Sequence, residues 1–200
     1  EKYTLKKTLE GRFVNALAVH KDIIISGSGK YRGPHAYIKL WTLEGVCIRT
    51  LKGHFRGVCA LAVHKDTIIS GSSDKTIKLW TLEGECIRTL EGHSDWVRAL
   101  AVHKDTIISG SDDTTIKCWT LQGECIRTLK GHSERVLALA VHKDTIISGS
   151  LDTIKLWAFE EECIRTFEER KRKEEWARRE AERKRKEEEA RREEEFRRQK

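Results

Sequence analysis

The side chains best suited to chemistry in this chain are six cysteines, at positions 47, 59, 86, 118, 125 and 163. Thiols can form disulfides, bind zinc or act as nucleophiles, and zinc sites usually contain closely spaced cysteine pairs. No Cys-x-x-Cys pair occurs, and four of the six recur at a nearly fixed interval, each followed by Ile-Arg-Thr. We therefore expect small, buried, unpaired thiols. Free thiols in that number indicate a reducing compartment inside the cell, and we expect the cytoplasm.

Other chemical signatures are missing from the sequence. It contains no phosphate-binding glycine loop, no zinc-ligand spacing and no nucleophile elbow. We expect no catalytic residue, no metal and no cofactor. The longest apolar stretches are too short to span a membrane. The net charge of +7 over 200 residues is mild, so nucleic acid is an unlikely partner.

The cysteine interval belongs to a longer repeat. Trp41, Trp80, Trp119 and Trp157 follow one another at 39, 39 and 38 residues. In the third copy, VRALAV, TIISGS, TIKCWTL and CIRTL are four strand-like segments separated by short polar turns. A period near forty with an early Gly-His and a late Trp is typical of a four-stranded propeller blade. An open solenoid is the alternative, and the polar outer strand and the Gly-His and Trp positions argue against it.

These motifs resemble the WD-repeat family of β-propellers, although Thr or Ala follows each tryptophan where that family has Asp. The resemblance implies a hydrogen-bonded tetrad of His, Ser, Asp and Trp in each blade. By position the tetrads are His54, Ser70, Asp74 and Trp80; His93, Ser109, Asp113 and Trp119; and His132, Ser148, Asp152 and Trp157. A Ser, His and Asp brought together also suggest a hydrolase triad. Because the trio recurs three times in equivalent positions, we interpret it as structural.

The first copy departs from the pattern. Gly11-Arg12 replaces Gly-His, and the turn after its second strand grows into residues 29–37, which include Tyr31 and Arg32. This turn is either a binding loop or a neutral insertion in a diverged terminal repeat. Residues 2–9 match the fourth-strand segment of the other copies, so the sequence predicts an extra outer strand before the first blade.

Four blades are few for a closed ring. Propellers close with roughly four to eight blades, and an open row would leave apolar faces at both ends. We therefore expect an all-β propeller of four-stranded antiparallel blades, closed into an eight-bladed ring by a homodimer. The alternatives are a longer parent with more blades and a four-bladed ring of one chain. The domains are predicted as residues 1–166, the blades with the strand at 2–9, and residues 167–200, a charged helix.

The helix is predicted from the Glu, Lys, Arg and Ala of residues 167–200, which lack Gly and Pro and form many i,i+4 ion pairs. Its charges are interleaved, which favours a solvated spacer over a nucleic-acid-binding arm. Packing of Trp176 and Phe196 on another surface is the third possibility.

Function is predicted from the positions that differ between otherwise identical repeats. The resemblance implies a non-enzymatic protein-interaction scaffold that binds partners on the rim carrying the Gly-His loops. The candidate contact residues are Tyr31, Arg32, Phe55, Arg56, Asp95, Trp96, Arg98, Glu134 and Arg135. The alternatives are a reader of phosphorylated or acidic peptides through Arg56, Arg98 and Arg135, a purely structural self-assembling chain, and a hydrolase.

Overall fold

The computed structural model describes residues 4–158, 172–173, 175–189 and 191. The chain divides into two compact units, Glu1–Phe159 and Glu160–Lys200. Among the described residues, all strands lie in the first unit and the helix lies in the second.

The first unit is a row of four antiparallel sheets, one per repeat. Each sheet pairs its strands in chain order, because short turns join neighbouring strands. The strands are β1 Val14–His20, β2 Ile23–Ser28, β3 Tyr37–Thr42 and β4 Cys47–Leu51 in blade one; β5 Val58–His64, β6 Thr67–Ser72, β7 Ile77–Trp80 and β8 Cys86–Leu90 in blade two; β9 Val97–His103, β10 Thr106–Ser111, β11 Ile116–Thr120 and β12 Cys125–Leu129 in blade three; and β13 Ala138–His142, β14 Thr145–Gly149 and β15 Ile154–Ala158 in blade four. This architecture confirms the prediction of an all-β chain of four blades. The outer strand predicted for blade four, at Cys163–Phe167, lies outside the described residues.

The core of the unit lies between blades rather than within them. The inner strands β1, β5, β9 and β13 are neighbours in that order, and each blade lays one face against the inner strand of the next. Between blades two and three, Ile77 and Leu79 pack with Val97 and Trp119 in one buried cluster. A single sheet has two apolar faces and cannot cover either by itself, so each blade depends on its neighbours.

Close approach between blades explains the glycine of the repeated Ser-Gly-Ser. A Cβ atom on Gly71 would lie 2.6 Å from Cγ1 of Val97, and one on Gly110 would lie 2.6 Å from Cγ1 of Val136. Gly27 meets Val58 at the same distance. Only glycine lets the inner strand of the next blade come this near.

The repeated His-Lys-Asp turns link blades at the rim opposite the Gly-His loops. His64 Nε2 lies 2.9 Å and Lys65 Nζ 3.0 Å from Oδ1 of Asp105 in the next blade. His20 and Lys21 contact Asp66 in the same way. Because these ion pairs are exposed, each contributes little to the free energy of unfolding. They repeat the same contact between each blade and the next.

One sequence-based expectation is corrected. Cys47, Cys86 and Cys125 are exposed rather than buried, because the outer strand has a solvent-facing side. Residues 4–9 of the strand predicted at 2–9 form no strand pairing within the described part of the chain, so that outer strand stays a prediction.

The second unit contains helix α1 at residues 175–189, which confirms the predicted charged C-terminal helix. Ion pairs one turn apart join its side chains, including Glu175 with Arg179 at 3.4 Å and Glu182 with Lys186 at 3.0 Å. Trp176 is 68% exposed. No helix in the described part of the chain has the length and apolar content needed to cross a membrane.

The core between blades predicts the effect of shortening Val97, whose side chain is fully buried at the contact between two adjacent blades, which we call a seam. We expect Val97→Ala to lower the free energy of unfolding by about 1–3 kcal/mol, because it removes two methyl groups and leaves a cavity. Val46→Ala is the control, since Val46 is 58% exposed in a turn. Urea unfolding of both variants measures the difference, and equal midpoints would contradict this description of the core.

Candidate functional site

The tetrad of blade two is a chain of hydrogen bonds across the sheet. The Trp80 indole N–H donates to Oγ of Ser70 at 2.8 Å, and that oxygen lies 2.7 Å from Nε2 of His54. Nδ1 of His54 lies 2.8 Å from Oδ2 of Asp74. Asp74 also accepts bonds from the backbone N–H of Phe55 and from the hydroxyl of Thr76. The network ties the Gly-His loop to the second strand, the next turn and the third strand.

This arrangement is built for structure rather than for acyl transfer. With a proton on Nδ1, His54 donates to Asp74 and accepts the Ser70 proton on Nε2, so every member has a partner. Ser70 is fully buried, and its oxygen already accepts the Trp80 bond. A nucleophile must be reachable by substrate, and this hydroxyl is not.

Blade three repeats the network with nearly the same distances. His93 Nδ1 lies 2.7 Å from Asp113, and its Nε2 lies 2.7 Å from Ser109. The Trp119 N–H donates to Ser109 at 2.8 Å. The carboxylate of Asp113 is fully used: one oxygen accepts from Thr115, and the other accepts from the backbone of Ser94.

Blades four and one have partial networks. In blade four, His132 and Trp157 both bond Ser148, but Asp152 is exposed and outside the network. The hydroxyl of Thr153 lies 3.3 Å from His132 Nδ1 instead. The one-residue deletion shortens this turn and moves the carboxylate away, which corrects the sequence-based assignment of Asp152. Blade one, which lacks the Gly-His histidine, keeps only the bond from Trp41 to Ser26.

In the two complete networks, the pKa values of the Asp113 and Asp74 carboxyl groups and of the His93 imidazole are lowered. Burial raises the pKa of Asp113, but the bonds from Thr115 and His93 outweigh it, and the pKa lies below its usual range. The pKa of Asp74 is lowered in the same way by His54 and Thr76, against the effect of burial. Burial lowers the pKa of His93 despite the nearby Asp113. The blade-three tetrad therefore loses stability in acid. Because the pKa of His93 is lowered in the folded protein, this loss begins as the pH falls below about 6.5, and neutralisation of the Asp113 carboxylate adds to it at lower pH.

The rim that carries the Gly-His loops holds an open cavity of about 640 Å³. Its lining comes from the loops before β5, β9 and β13, the turns after β6 and β10, the inner strand β9, and the long turn of blade one. The lining residues are Arg32, Arg56, Lys75, Asp95, Trp96, Arg98, Asp112 and Arg135. We call this the rim cavity. Five of these residues are cationic and two are carboxylates, so the cavity is positively charged overall.

An aromatic and arginine stack forms one wall of the rim cavity. The rings of Tyr31 and Trp96 are stacked with centroids 5.6 Å apart. The Arg98 guanidinium lies 4.5 Å from the Trp96 centroid, and it makes two bonds to Asp112, at 3.0 and 3.1 Å. The long turn of blade one therefore reaches a loop of blade three. Arg98 is held rigidly, because stacking and a bidentate ion pair fix its plane.

Most of the rim residues singled out in the sequence lie together. Arg32, Arg56, Asp95, Trp96, Arg98 and Arg135 line the rim cavity, with Tyr31 stacked against it. Phe55, which is 82% exposed, and Glu134 are not part of the lining.

The sequence analysis missed Lys75 and Asp112. Both stand at turn positions that differ between repeats, where blade three has Thr114 and blade two has Ser73. Variation between repeats was therefore a signal that could have found them.

The thiol nearest the rim cavity is unsuited to nucleophilic chemistry. Cys59 lies on β5, close to Arg98 and Ser73, and burial raises the pKa of its thiol to about 11. The thiol therefore stays protonated at neutral pH, and the thiolate is the reactive form.

Comparison with known proteins identifies the family. The model of the WD domain, G-beta repeat, matches residues 45–81, 84–120 and 123–158, more than half of the chain. The chain belongs to the WD-repeat family. Proteins built from these repeats are generally non-enzymatic interaction scaffolds, and the repeats imply that role here. A search of curated proteins gave no match.

Solved structures similar to this chain are propellers of the same kind of blade. The computationally designed Ika4 protein is 36% identical, with a TM-score of 0.68 over 76% of this chain and 96% of its own. The computationally designed Ika8 protein is 35% identical, with a TM-score of 0.67 over 76% of this chain and 48% of its own. U3-55K is 24% identical, with a TM-score of 0.69 over 76% of this chain and 51% of its own, and shares the fold. This chain spans about half the length of the latter two.

The tetrads predict a large cost for Asp113→Asn. We expect it to lower the free energy of unfolding by about 2–4 kcal/mol, because an amide cannot accept bonds on both sides and leaves buried donors unpaired. It should also weaken the loss of stability below about pH 4, since the folded-state pKa of Asp113 lies below 3.8 and the variant has no carboxylate to protonate there. Urea unfolding between about pH 7.5 and pH 2.5 measures both effects.

The matched control for Asp113→Asn is Asp152→Asn, at the equivalent but exposed position of blade four. We expect it to change the free energy of unfolding by less than about 0.5 kcal/mol. Equal effects of the two substitutions would contradict the structural role of the tetrad carboxylates.

Proposed function

We propose that the chain is a non-enzymatic interaction scaffold whose row of four blades closes into an eight-bladed ring with a second copy. The observation that carries this proposal is that the two terminal blades expose faces that complement each other.

Blade one exposes the side that internal blades use to receive the preceding blade. Leu17 and Val19 on β1 are 66% and 65% exposed. Their equivalents in blade three, Leu100 and Val102, pack against the core shared with blade two. We call the exposed surface of Val14, Leu17 and Val19 the leading face.

Blade four exposes the opposite side. Ile154 and Leu156 on β15 are 73% and 70% exposed, whereas the equivalent Ile77 and Leu79 in blade two are 1% and 2% exposed. We call the surface of Gly149, Ile154 and Leu156 the trailing face. Large apolar residues left bare on both end faces favour association.

The two faces match as the internal seams do. At each internal seam a glycine of one blade receives a valine of the next: Gly27 with Val58, Gly71 with Val97, and Gly110 with Val136. At the trailing face a Cβ atom on Gly149 would meet only Ala138, at 3.5 Å. At the leading face the equivalent valine, Val14, is 44% exposed. A second copy that continued the row would seat Val14 on Gly149.

The ion pairs between His-Lys-Asp turns also end in complementary groups. The His and Lys of each turn contact the Asp of the next blade, so blade one is left with an Asp acceptor and blade four with His and Lys donors. Asp22 is that acceptor, and His142 and Lys143 are those donors. In the described part of the chain, none of the three has a partner. The same blade-to-blade step would pair them across the two copies.

Head-to-tail contacts form rings when the rotation closes, and propellers close with up to about eight blades. Two copies would close the row with two identical seams and leave no bare face. The proportion of Ika8 that this chain matches, 48%, is in keeping with a ring assembled from two such chains. We further propose a reducing intracellular compartment, the cytoplasm, because the five cysteines that the structure describes form no disulfide with one another.

The ring predicts a mass of about 46 kDa in solution, twice the 23.1 kDa of one chain. Light scattering after size exclusion measures it. We expect Leu17→Asp to give about 23 kDa, because the ring would bury two unpaired carboxylates. We expect Gly149→Ala to weaken association at least about 10-fold with little effect on the stability of the single chain, since its methyl group makes only an ordinary 3.5 Å contact with Ala138 there but would meet Val14 in the ring.

Ile87→Asp is the control for both seam variants, because Ile87 is 50% exposed on the outer strand of blade two and belongs to neither end face. It should keep the mass near 46 kDa. A wild-type mass of 23 kDa with strong binding of a hydrophobic dye would contradict the two-copy ring and indicate an open row.

A second candidate function, a reader of acidic or phosphorylated peptides, is favoured by the rim cavity. Arg32, Arg56 and Arg135 line the rim cavity together with Arg98, which the ion pair with Asp112 and the stacking on Trp96 hold in place. Arginine binds carboxylate and phosphate groups in a bidentate manner, and stacked aromatic rings add apolar contact area. An extended anionic segment fits such a cavity better than a small neutral ligand.

A phosphopeptide library measured by fluorescence polarisation tests this function. Arg56→Ala with Arg135→Ala should weaken binding of any selected phosphopeptide at least about 10-fold, because each charge-assisted bond contributes about 1.5–3 kcal/mol. Lys52→Ala with Lys130→Ala removes the same charge from exposed positions outside the rim cavity and should have little effect. Equal losses in the two double variants, or no bound peptide, would contradict this candidate.

A further inference from the structure

The inner strand of each of the first three blades carries a β-bulge at its rim end. The residues that the pairing with the second strand passes over are Asn15, Cys59 and Arg98. A β-bulge re-aims the side chain of the extra residue and is frequent beside active sites. Leu137 holds the equivalent position in blade four.

In the first three blades the bulged residue lies against the first residue of the turn after the second strand. These pairs are Asn15 with Gly29, Cys59 with Ser73, and Arg98 with Asp112. The Asn15 amide donates to the carbonyl of Gly29 at 2.9 Å, and Arg98 makes its two bonds to Asp112. The bulged side chains of blades one and three therefore already have polar partners within their own blades.

Blade four has leucine at both positions of the pair. Leu137 is 40% exposed, and Leu151, which stands where blade three has Asp112, is 60% exposed. The Leu137 N–H donates to the carbonyl of Gly149 at 2.8 Å, so the start of β13 and the end of β14 meet at the rim. Leucine side chains neither donate nor accept hydrogen bonds. Blade four therefore offers apolar contact where blade three has an ion pair.

The two leucine positions border the rim cavity. Arg98 and Asp112, which hold these positions in blade three, both line the cavity. Blade three has a neighbour on each side, so neighbouring blades leave this pair of positions open to the cavity. Arg135, two residues before Leu137, also lines the cavity. We call Leu137 and Leu151 the leucine patch, an apolar extension of the cavity wall at blade four.

Arg135 and Leu137 face the same side of the chain. Both are exposed, whereas Val136 between them is fully buried against Gly110. Alternate residues of an extended segment lie about 6.5–7 Å apart on one side. An extended ligand has the same spacing, so two of its alternate side chains can meet Arg135 and Leu137 at once.

The cations available to a ligand are those without an ion pair in the protein. Arg98 is paired with Asp112, whereas Arg56 and Arg135 form no ion pair with any residue that the structure describes. A carboxylate or phosphate group in the cavity would receive charge-assisted hydrogen bonds from these two side chains. The cavity and the leucine patch together complement a ligand that carries both an anionic and an apolar group.

We propose that the rim cavity binds an extended peptide through two alternate side chains. An anionic side chain binds Arg56 and Arg135, and a bulky aliphatic side chain packs on the leucine patch. This inference rests on the peptide-reading function proposed above, and it names the sequence pattern that this function selects. The anionic group comes from a phosphorylated residue or from Glu or Asp, and the test separates these two sources.

Fluorescence polarisation with fluorescein-labelled synthetic peptides tests the proposal. The probes consist of glycine and serine around one phosphoserine, with one leucine placed two residues before or after it. We expect one of these two peptides to bind at least about 5-fold more tightly than the same peptide with serine in place of leucine, because part of the leucine side chain leaves water. Leucine placed one residue from the phosphoserine should change binding by less than about 2-fold, since it points to the opposite side. A parallel set with glutamate in place of phosphoserine shows whether a carboxylate is sufficient.

Substitutions in the leucine patch should remove the preference for leucine. In Leu137→Ser, and in Leu137→Arg, which copies blade three, the leucine and serine peptides should bind within about 2-fold of each other. Ile87→Ser is the matched control, since Ile87 is 50% exposed on the outer strand of blade two, and it should keep the preference. Leu17→Asp should also keep it, because the leucine patch belongs to a single chain.

The outcomes separate this inference from the functions proposed above. Equal binding of the leucine and serine peptides would overturn the role of the leucine patch, as would a preference that survives Leu137→Ser. Either result would leave the peptide-reading function standing. Absence of binding by every phosphoserine and glutamate peptide would overturn that function and this inference together. The two-copy ring is judged separately, by its mass in solution.

Discussion

Every feature of this propeller depends on the contact between one blade and the inner strand of the next. A four-stranded sheet with two apolar faces cannot bury either of them, and the burial of Ile77, Leu79 and Val97 is shared between blades. The glycine of the Ser-Gly-Ser strand sets the distance of this contact, because it admits a valine of the next blade at its Cα. Stability is therefore a property of neighbours, as in other repeat proteins. For the same reason, the two terminal blades of the row each leave an apolar face exposed to solvent.

The tetrads have a different task from the seams. They hold four segments of one blade together: a loop, two strands and a turn. Their buried polar atoms are satisfied within the network, so the cost of burial is offset by hydrogen bonds. The partial networks of blades one and four lie at the two ends of the row. The carboxylate-containing networks belong to the two blades that have a neighbour on both sides.

The architecture and the proposed binding role use different residues of the same repeat. The positions that recur unchanged form the apolar contacts between blades, the ion pairs of the His-Lys-Asp turns and the hydrogen-bonded tetrads. The positions that vary converge on the rim cavity, where Tyr31, Trp96 and Arg98 form a rigid wall and further arginines surround the opening. Because the scaffold is held by repeated contacts, the rim loops are free to differ. A scaffold of this kind gains its specificity from loop residues rather than from its fold.

The sequence by itself determined the number of blades, the order of their strands and most members of the tetrads, because these follow from a local period and from short turns. It also singled out Arg56, Trp96, Arg98 and Arg135, since variation among copies is visible in one chain. It could not give the stacking of Tyr31 on Trp96, which joins residues of different blades, or the loss of Asp152 from its network, which follows from the geometry of a shortened turn. It identified residues 2–9 as strand-like, and only the tertiary structure showed that residues 4–9 form no strand pairing among the residues it describes. Strand pairing and burial are relations between segments distant in sequence, so the residues of one segment specify what it can pair with but not whether that partner is present.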